Sequence, residues 1–384
     1  MTNDQLLSST ISYLRFPLTV GVVFIHFNLS IGGLSLHGIK YGIDNPDWYH
    51  WIIRFCSEVI PTIGVPLFFF FSGFLFFYNK DFNCNVYKQK LRTRIKTLLV
   101  PYLLWNFIAI LIHLFFMMPF LSSVFPNFSM TEIHLTPERL FNTFFSYFPN
   151  EGIFLSPTIE SLGVVTKDPG PIDLPLWYVR DLMLMILLSP MIWWLIKKTK
   201  IWVVATLGIM WYFYKPVFAP NGGWLTLLCT AAFFFSWGGY FSINKINFVK
   251  TFRKYRYIPR IYIAIALIDT LTRRNDYNLY IHNIGIIIGI ISLITIVSYL
   301  IENGKVKVNN TLANCSFFIY ALHSLIIWEI GKLIFVFLHF PDNSYIMLSL
   351  YFVVPILTSS ICIILYIMLK CYTPSFCNML TGGR

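Results

Sequence analysis

The sequence predicts an all-α polytopic membrane protein with about ten transmembrane helices and a long external loop between helices 3 and 4. Hydrophobic residues make up 57% of the chain and charged residues only 12%. The mean hydropathy is +0.66, and apolar runs of bilayer-spanning length recur along the chain. The 38 Phe, 22 Tyr and 11 Trp residues suit lipid-facing helices with aromatic belts at the membrane interfaces.

Ten apolar segments are predicted to cross the membrane within a single integral-membrane domain, residues 1–384. Their approximate boundaries are 11–29, 59–78, 97–120, 174–196, 201–218, 224–243, 257–271, 281–301, 312–338 and 344–370. The segment 257–271 is the shortest and weakest. Without it, the chain would have nine spans, and every later loop would change sides.

The distribution of positive charge supports ten spans. Nineteen Lys and Arg residues fall in loops on the same side as the termini, and seven fall on the opposite side. Because cytoplasmic loops retain positive charge, this asymmetry predicts that both termini are cytoplasmic. Retention of positive charge in cytoplasmic loops therefore accounts for the net charge of +12, and we predict no nucleic-acid partner.

The first span, ISYLRFPLTVGVVFIHFN, carries two ionisable residues, Arg15 and His26. They are eleven positions apart. On a helix, the rotation between the two side chains is then about 20° from three full turns, and their separation along the axis is about 16 Å. Both therefore lie on one face, with an anion-binding group near the cytoplasm and a base deeper in the membrane. The alternative is that Arg15 reaches a lipid headgroup and His26 lies at the opposite interface.

The next two spans carry a small pair and a basic cluster. Ser72 and Gly73 interrupt the aromatic run VPLFFFFSGFLFF, which favours close packing of another backbone over a serine nucleophile. Arg92, Arg94 and Lys96 precede the third span. They suit the phosphates of a ligand, but taken alone the cluster favours lipid headgroups as its partner.

The external loop 121–173 is acidic. Its carboxylates could bind sugar hydroxyls, or it could be a solvated lid. Its segment Leu140 to Phe148 has the pattern of an amphipathic piece lying in the membrane interface.

The fourth and ninth spans supply further polar groups. Arg180 and Asp181, in LPLWYVRDLMLM, point about 100° apart on a helix and are not expected to pair with each other. The ninth span places His323 near mid-membrane with Tyr320 on the same side, and Glu329 and Lys332 are spaced to pair. The histidines show no metal-ligand spacing, so no metal is predicted.

Taken in order, these segments resemble the membrane-integral acyltransferase 3 family, which includes bacterial O-acetyltransferases of surface polysaccharides and related glycans. The resemblance covers about residues 11–370. It rests on Arg15 with His26, VPLFFFFSGFLFF, the basic stretch before LVPYLLWN, LWYVRDL, and SFFIYALH ending in His323. Many relatives have two arginines separated by two residues before the third span, and here the run Arg92-Thr-Arg94-Ile-Lys96 differs.

The resemblance implies a bacterial inner-membrane enzyme of the cell envelope. It would transfer an acyl group, usually acetyl from cytoplasmic acetyl-CoA, to a hydroxyl of a glycan or lipid-linked sugar. It implies functional roles for Arg15 and His26. We further predict that Arg180 or His323 assists catalysis, that Arg15, Arg92, Arg94 and Lys96 bind CoA phosphates, and that Tyr320, Trp177 and Asp181 contact the acceptor.

Two other classes of protein remain open from the sequence. A transporter or flippase for an amphiphilic sugar-containing substrate would also need many spans and buried charges, although matched halves with interrupted helices are not evident. A sensor or scaffold could retain the same residues as structure. Membrane lipid is a predicted partner, and the sequence leaves the acyl group, the acceptor and the oligomeric state open.

Overall fold

The fold is described from a computed structural model of the chain. The structure describes residues 1–36, 39–42, 44–78, 81–118, 132–147, 152–155, 171–218, 224–338 and 343–383. Helices dominate these residues, and strands occur only as two short antiparallel pairs.

The first half of the chain begins with one long helix and ends in the external loop region. Its α-helices are α1 Asn3–His26, α2 Leu29–Gly32, α3 Asp47–Arg54, α4 Gly64–Phe77, α5 Cys84–Arg94, α6 Val100–Phe116 and α7 Pro137–Phe145. Two π-helical turns, Phe55–Val59 and Ile95–Leu99, and a 3-10 turn, Pro61–Ile63, join helices into longer runs. The strands are β1 Leu34–Leu36, β2 Ile39–Tyr41, β3 Glu132–Ile133 and β4 Phe154–Leu155.

The second half is almost entirely helical. A 3-10 turn, Leu174–Leu176, leads into α8 Trp177–Leu187, α9 Ser189–Thr199, α10 Ile201–Phe218, α11 Trp224–Ile243, α12 Phe248–Phe252, α13 Ile258–Thr272, α14 Asn278–Glu302, α15 Asn310–Phe337, α16 Ser344–Tyr372 and α17 Pro374–Thr381. The pairs β1–β2 and β3–β4 are antiparallel, with Leu34 opposite Tyr41 and Glu132 opposite Leu155.

A helix or a bent helix pair lies at each of the ten predicted spans, and the all-α membrane fold is confirmed. Seven runs in the described residues are long and apolar enough to cross a bilayer, and an eighth is the pair α8–α9, which bends by 62°. Helices α10 and α13 are also present, but their apolar segments are shorter than these runs, and α13 has only 15 residues. The count of ten therefore stays a prediction.

The basic stretch 79–96 is not the simple loop that we predicted. Helix α5 covers Cys84–Arg94 and continues through the π-helical turn into α6. The residues of α5 are good helix formers, with Lys, Arg, Gln and Leu, and Asn83 caps its first turn by accepting a hydrogen bond from the Val86 N–H at 2.9 Å. Arg92 and Arg94 are thus held on a rigid element.

The predicted close packing at Ser72–Gly73 is confirmed. Helix α4 runs against α11 so closely that a Cβ on Gly73 would lie 1.9 Å from the Phe235 carbonyl oxygen. The contact is reciprocal, because a Cβ on Gly238 would lie 1.9 Å from the Phe70 carbonyl oxygen. Small residues let the two backbones meet, and aromatic side chains fill the space around them.

Helix α1 is the centre of the bundle. It packs along α15, α14 and the π-helical turn Phe55–Val59. Leu14, Val22 and Val23 on α1 are fully or almost fully buried. This position brings the Arg15–His26 face of α1 against α15, which carries His323. The predicted pair Glu329–Lys332 on α15 is confirmed, with 3.0 Å between Lys332 Nζ and Glu329 Oε1.

The external loop between helices 3 and 4 lies largely outside the described residues, including Glu151, Glu160 and Asp168. Helix α7 occupies most of the predicted amphipathic segment, and its Leu140 and Phe141 are exposed. Phe148 lies outside the described residues. The placement of this segment in the membrane interface stays a prediction.

Candidate active site

His26 and His323 meet across the contact between α1 and α15. The Nε2 atom of His323 lies 3.2 Å from the Nδ1 atom of His26. The rings approach edge to face, with centroids 4.9 Å apart and an interplanar angle of 70°. The two histidines were singled out on separate spans, and the fold joins them although 297 positions separate them in the chain.

The hydrogen bonds of the pair fix the tautomers of neutral His26 and His323. His323 Nδ1 lies 2.9 Å from the Ile319 carbonyl oxygen, which can only accept, so this nitrogen carries the proton and His323 Nε2 is an acceptor. His26 Nδ1 lies 2.9 Å from the Val22 carbonyl oxygen and faces His323 Nε2, so it must also be the donor. The lone pair of His26 is therefore on Nε2, where it can act as a base or a nucleophile.

A cavity of about 160 Å³ lies within the same helix bundle. It is bounded by α1, α4, the end of α5, α8 and α15. Its polar lining comes from Arg15, Thr19, Ser72, Arg94, Tyr178, Asn314, Ser316 and Tyr320. The two histidines are not among its lining residues. Tyr320 connects the two features, because its ring centroid is 6.3 Å from that of His323.

Of the predicted phosphate-binding residues, the cavity brings together Arg15 and Arg94. Both are partly buried, whereas Arg92 and Lys96 are exposed and do not line this cavity. Within α5, Arg92 is two positions from Arg94 and therefore points to nearly the opposite face of the helix. The roles of Arg92 and Lys96 stay predictions.

Two tyrosines close the cavity on the side of α8. Tyr178 Oη lies 2.9 Å from Ser72 Oγ, and its ring centroid is 6.0 Å from that of Tyr320. The Tyr320 hydroxyl donates to the Pro175 carbonyl oxygen. Tyr178 was not singled out from the sequence, although it lies in the LWYVRDL motif. Trp177 instead packs on Phe69, with ring centroids 6.2 Å apart.

The expectation that Arg180 and Asp181 do not pair is wrong. Arg180 Nε donates to Asp181 Oδ1 at 3.0 Å, and Arg180 Nη1 donates to the Ser146 carbonyl oxygen at 2.7 Å. The guanidinium carbon lies 3.7 Å from the centre of the Tyr147 ring. Adjacent helical positions diverge at Cβ, but the long arginine side chain folds back. Both side chains are buried, which makes pairing the favourable way to compensate their charges.

The contacts described for Arg180 bind the segment Ser146–Tyr147 to α8. Arg180 therefore anchors this part of the external region to the helix bundle. Its predicted role in catalysis stays a prediction, as does acceptor contact by Asp181.

Asp173 is a buried carboxylate that sequence reasoning placed only within the acidic loop. Its Oδ1 accepts a hydrogen bond from Ser324 Oγ at 2.8 Å, and Ser324 follows His323 on α15. In the described part of the chain, Asp173 Oδ2 has no hydrogen-bond partner. Burial raises the pKa of this carboxyl, and the hydrogen bond from Ser324 opposes that rise. Nothing in the local pattern signals this, because Asp173 and Ser324 are 151 positions apart.

No set of three or more His, Cys, Asp or Glu side chains within the described ranges could hold a metal ion. The predicted absence of a metal stays a prediction.

Comparisons with known proteins identify the family. The family model described as an acyltransferase domain matches residues 9–369. The succinoglycan biosynthesis protein ExoH of Rhizobium meliloti (strain 1021) is 28% identical over 267 residues, which are 69% of this chain and 62% of that protein. The chain thus spans less than two thirds of this relative's length. No solved structure gives a significant match.

Proposed function

Since the chain belongs to the acyltransferase family, we propose that it transfers an acetyl group from cytoplasmic acetyl-CoA to a hydroxyl of a glycan or lipid-linked sugar on the outer side of the membrane. The apolar helices and the family make it an integral membrane protein. A relative named for succinoglycan biosynthesis supports a glycan acceptor. The charge asymmetry of the loops supports cytoplasmic termini in a bacterial inner membrane.

The observation that carries the proposal is the orientation of His26. Its Nδ1–H is held by the Val22 carbonyl and by His323, so Nε2 keeps a lone pair. The cavity with Arg15 and Arg94 reaches Tyr320, whose ring centroid lies 6.3 Å from that of His323. A base fixed by a second group, near a cavity with anion-binding residues, supports acyl transfer from acetyl-CoA.

The donor would lie along the Arg15–His26 face of α1. Arg15 and Arg94 would bind phosphate oxygens of acetyl-CoA through charge-assisted hydrogen bonds. The pantetheine arm would extend between Thr19, Ser72 and Tyr178 toward Tyr320. The axial distance of about 16 Å from Arg15 to His26 suits an extended arm with the thioester near His26.

In direct transfer, the acceptor oxygen forms a bond to the thioester carbonyl carbon while His26 Nε2 takes the hydroxyl proton. The carbon–sulfur bond then breaks, and the thiolate of CoA leaves and recovers a proton from His26. As His26 becomes an imidazolium, its Nδ1–H donates more strongly to His323 Nε2, which stabilises the charge. In the alternative route, His26 Nε2 forms a bond to the thioester carbonyl carbon, the carbon–sulfur bond breaks, and CoA leaves as the thiolate. The acceptor oxygen then attacks the acetyl carbon, the bond from that carbon to His26 Nε2 breaks, and the acceptor proton passes to the thiolate.

The test is acetyl-CoA turnover by the full chain in nanodiscs, with and without a glycan acceptor. We expect His26→Ala to lower turnover by a factor of about 10² to 10⁴, as for the loss of a general base. A matched control is His113→Ala, on α6 and outside the site. Thermal unfolding must show that both variants fold. Normal turnover in folded His26→Ala would refute the proposed site, and a wild-type chain that neither binds nor consumes acetyl-CoA would refute the proposed donor.

A further inference from the structure

A second cavity lies at the end of the bundle, where four long helices begin or end. It has a volume of about 510 Å³. Asp4 comes from the first turn of α1, Asp81 follows α4, Lys197 lies in the last turn of α9, and Lys245 follows α11. This is the side of the bundle with the basic loops, on which we predict the cytoplasmic headgroup layer. The acyl-transfer cavity contacts a different face of α4.

The floor of this headgroup cavity, as we name the space lined by Asp4, Asp81, Lys197 and Lys245, is aromatic. Phe74, Phe77 and Phe241 are nearly fully buried. Tyr78, Phe82 and Trp193 complete its aromatic lining, and Trp and Tyr are the residues enriched where a bilayer meets water. Aromatic faces also attract organic cations.

The charged side chains at the mouth are balanced and separate. Two are positive and two are negative, all four are exposed, and within the described chain no ion pair joins any of them to another. A ligand with both a negative and a positive group can satisfy such a mouth. A ligand with several negative charges would meet two carboxylates without compensation.

The backbone of Lys245 supports a role for its side chain. Its φ is +56°, a left-handed conformation that glycine or asparagine usually supplies after a helix. A lysine here bears a steric penalty of about 1 kcal/mol. The backbone N–H of Lys245 donates to the Ser242 carbonyl oxygen at 3.0 Å, which closes the turn and directs the residue to the cavity rim.

We propose that the headgroup cavity binds a zwitterionic phospholipid whose headgroup carries a phosphate and a primary ammonium. Lys197 and Lys245 hold the phosphate, Asp4 and Asp81 hold the ammonium, and the aromatic floor contacts the apolar part of the lipid. The site tethers the ends of α1, α4, α9 and α11 to the headgroup layer. It goes beyond the acyl-transfer reaction and does not depend on it.

The experiment measures lipid binding to the purified full chain by native mass spectrometry. The probes are dihexanoyl lipids with phosphoethanolamine, phosphocholine or phosphoglycerol headgroups. The variants are Lys197→Gln/Lys245→Gln and Asp81→Asn. Lys198→Gln is the matched control, because Lys198 is also exposed at the end of α9 but lies over the Trp194 ring and not in the cavity.

We expect the phosphoethanolamine lipid to bind most tightly. Both the double lysine variant and Asp81→Asn should weaken its binding about three- to five-fold, the effect of losing exposed charge pairs, while Lys198→Gln leaves it unchanged. The sign of the Asp81→Asn effect is decisive. Tighter binding of any probe to Asp81→Asn would mean an anionic ligand and would overturn the proposal. So would equal binding of the three lipids, or displacement of the lipid by CoA.

Discussion

The contact between the two imidazoles predicts that His323 is a positioning residue for His26. His323 Nε2 can only accept the Nδ1–H of His26, because the other nitrogen of His323 donates to the Ile319 carbonyl. A glutamine at 323 could offer its amide oxygen to the same proton, but a leucine could not. We expect turnover to fall about tenfold in His323→Leu, the value of one hydrogen bond of 1.4 kcal/mol, and less in His323→Gln.

The measurement is kcat for acetyl-CoA turnover as a function of pH, with KM for acetyl-CoA as the second readout. A positioning role predicts that kcat falls while KM is nearly unchanged. Equal losses in the leucine and glutamine variants, with both folded, would contradict it.

Arg94 is the residue of the basic cluster that the cavity selects. It lines the cavity with Arg15, whereas Arg92 is exposed and outside it. A lost hydrogen bond to a charged group costs about 1.5–3 kcal/mol. We therefore expect Arg94→Gln to raise the Kd for CoA by a factor of ten or more and Arg92→Gln to change it less than threefold, measured by isothermal titration in detergent. Equal effects would favour a diffuse surface site over this cavity.

Asp173 gives the fold a pH dependence whose sign follows from its burial. Burial raises the pKa of its carboxyl, so the folded chain holds the proton more tightly than the unfolded chain, where aspartate titrates near pH 4 (about 3.9). The resulting stability is fully present below that value and is lost as the pH rises through the folded pKa. We expect the unfolding temperature of Asp173→Asn to fall less than that of the wild type as pH increases.

The control for this experiment is Asp276→Asn, which changes an exposed carboxyl. Differential scanning fluorimetry across pH gives the comparison. A difference between wild type and Asp173→Asn that is the same at every pH would show that the carboxyl does not titrate with folding.

At the residue scale, the sequence identifies candidate functional residues through the free-energy cost of placing ionisable side chains in a membrane. Arg15, His26 and His323 stand out because ionisable side chains in apolar spans need a reason. Ser324 and Tyr178 carry no such signal, since serine and tyrosine are common in helices. The pairing of Arg180 with Asp181 depends on side-chain reach and burial, which helical spacing alone does not give.

At the element scale, apolar run length located α1, α4, α8 and α15 around the cavity but missed α5, whose residues are mostly polar. Run length did not predict where the helices bend or pass into π-helical turns. The 62° bend between α8 and α9 occurs where Ser189 and Pro190 begin a new helix, and the π-helical turns continue α3 and α5 into longer runs. Such interruptions depend on how neighbouring helices satisfy freed backbone groups, which is a tertiary property.

The contact between α4 and α11 gives a prediction for helix packing. Gly73→Ala would place a methyl group against the Phe235 backbone, which cannot rotate away as a side chain could. We expect a loss of about 3 kcal/mol or more in the free energy of unfolding, the upper range for overpacking. Gly285→Ala is the matched control, because its Cβ would meet the Ile265 side chain at 3.4 Å. Equal unfolding temperatures for the two variants would contradict the close approach.

At the scale of the whole molecule, the two cavities divide the bundle by chemistry. The cavity that we propose for the donor has two arginines and several hydroxyl groups, which suit an anionic ligand. The headgroup cavity has balanced charges and no histidine in its lining. Helix α4 contributes to both cavities through different residues.

The orientation of the bundle depends on whether α13 crosses the membrane. If α13 and α14 both cross, Asn244 and Lys305 lie on one side, and the positive charge of both loops is cytoplasmic. If only α14 crosses, they lie on opposite sides. Both residues are exposed, so each can be replaced by cysteine and labelled, after the exposed Cys84 and Cys371 have been changed to serine.

We expect a membrane-impermeant maleimide to label Leu135→Cys in intact spheroplasts, because Leu135 is 75% exposed in the predicted external loop. Asn244→Cys and Lys305→Cys should react only after permeabilisation. Labelling of Lys305→Cys alone from outside would show that α13 does not cross and that the chain has an odd number of spans. That result would also put the start of α15 on the outer side, whereas Asn314 and Ser316 near that start line one cavity with Arg15 of α1. With the other spans crossing as predicted, a cytoplasmic donor site at Arg15 therefore requires that α13 crosses the membrane.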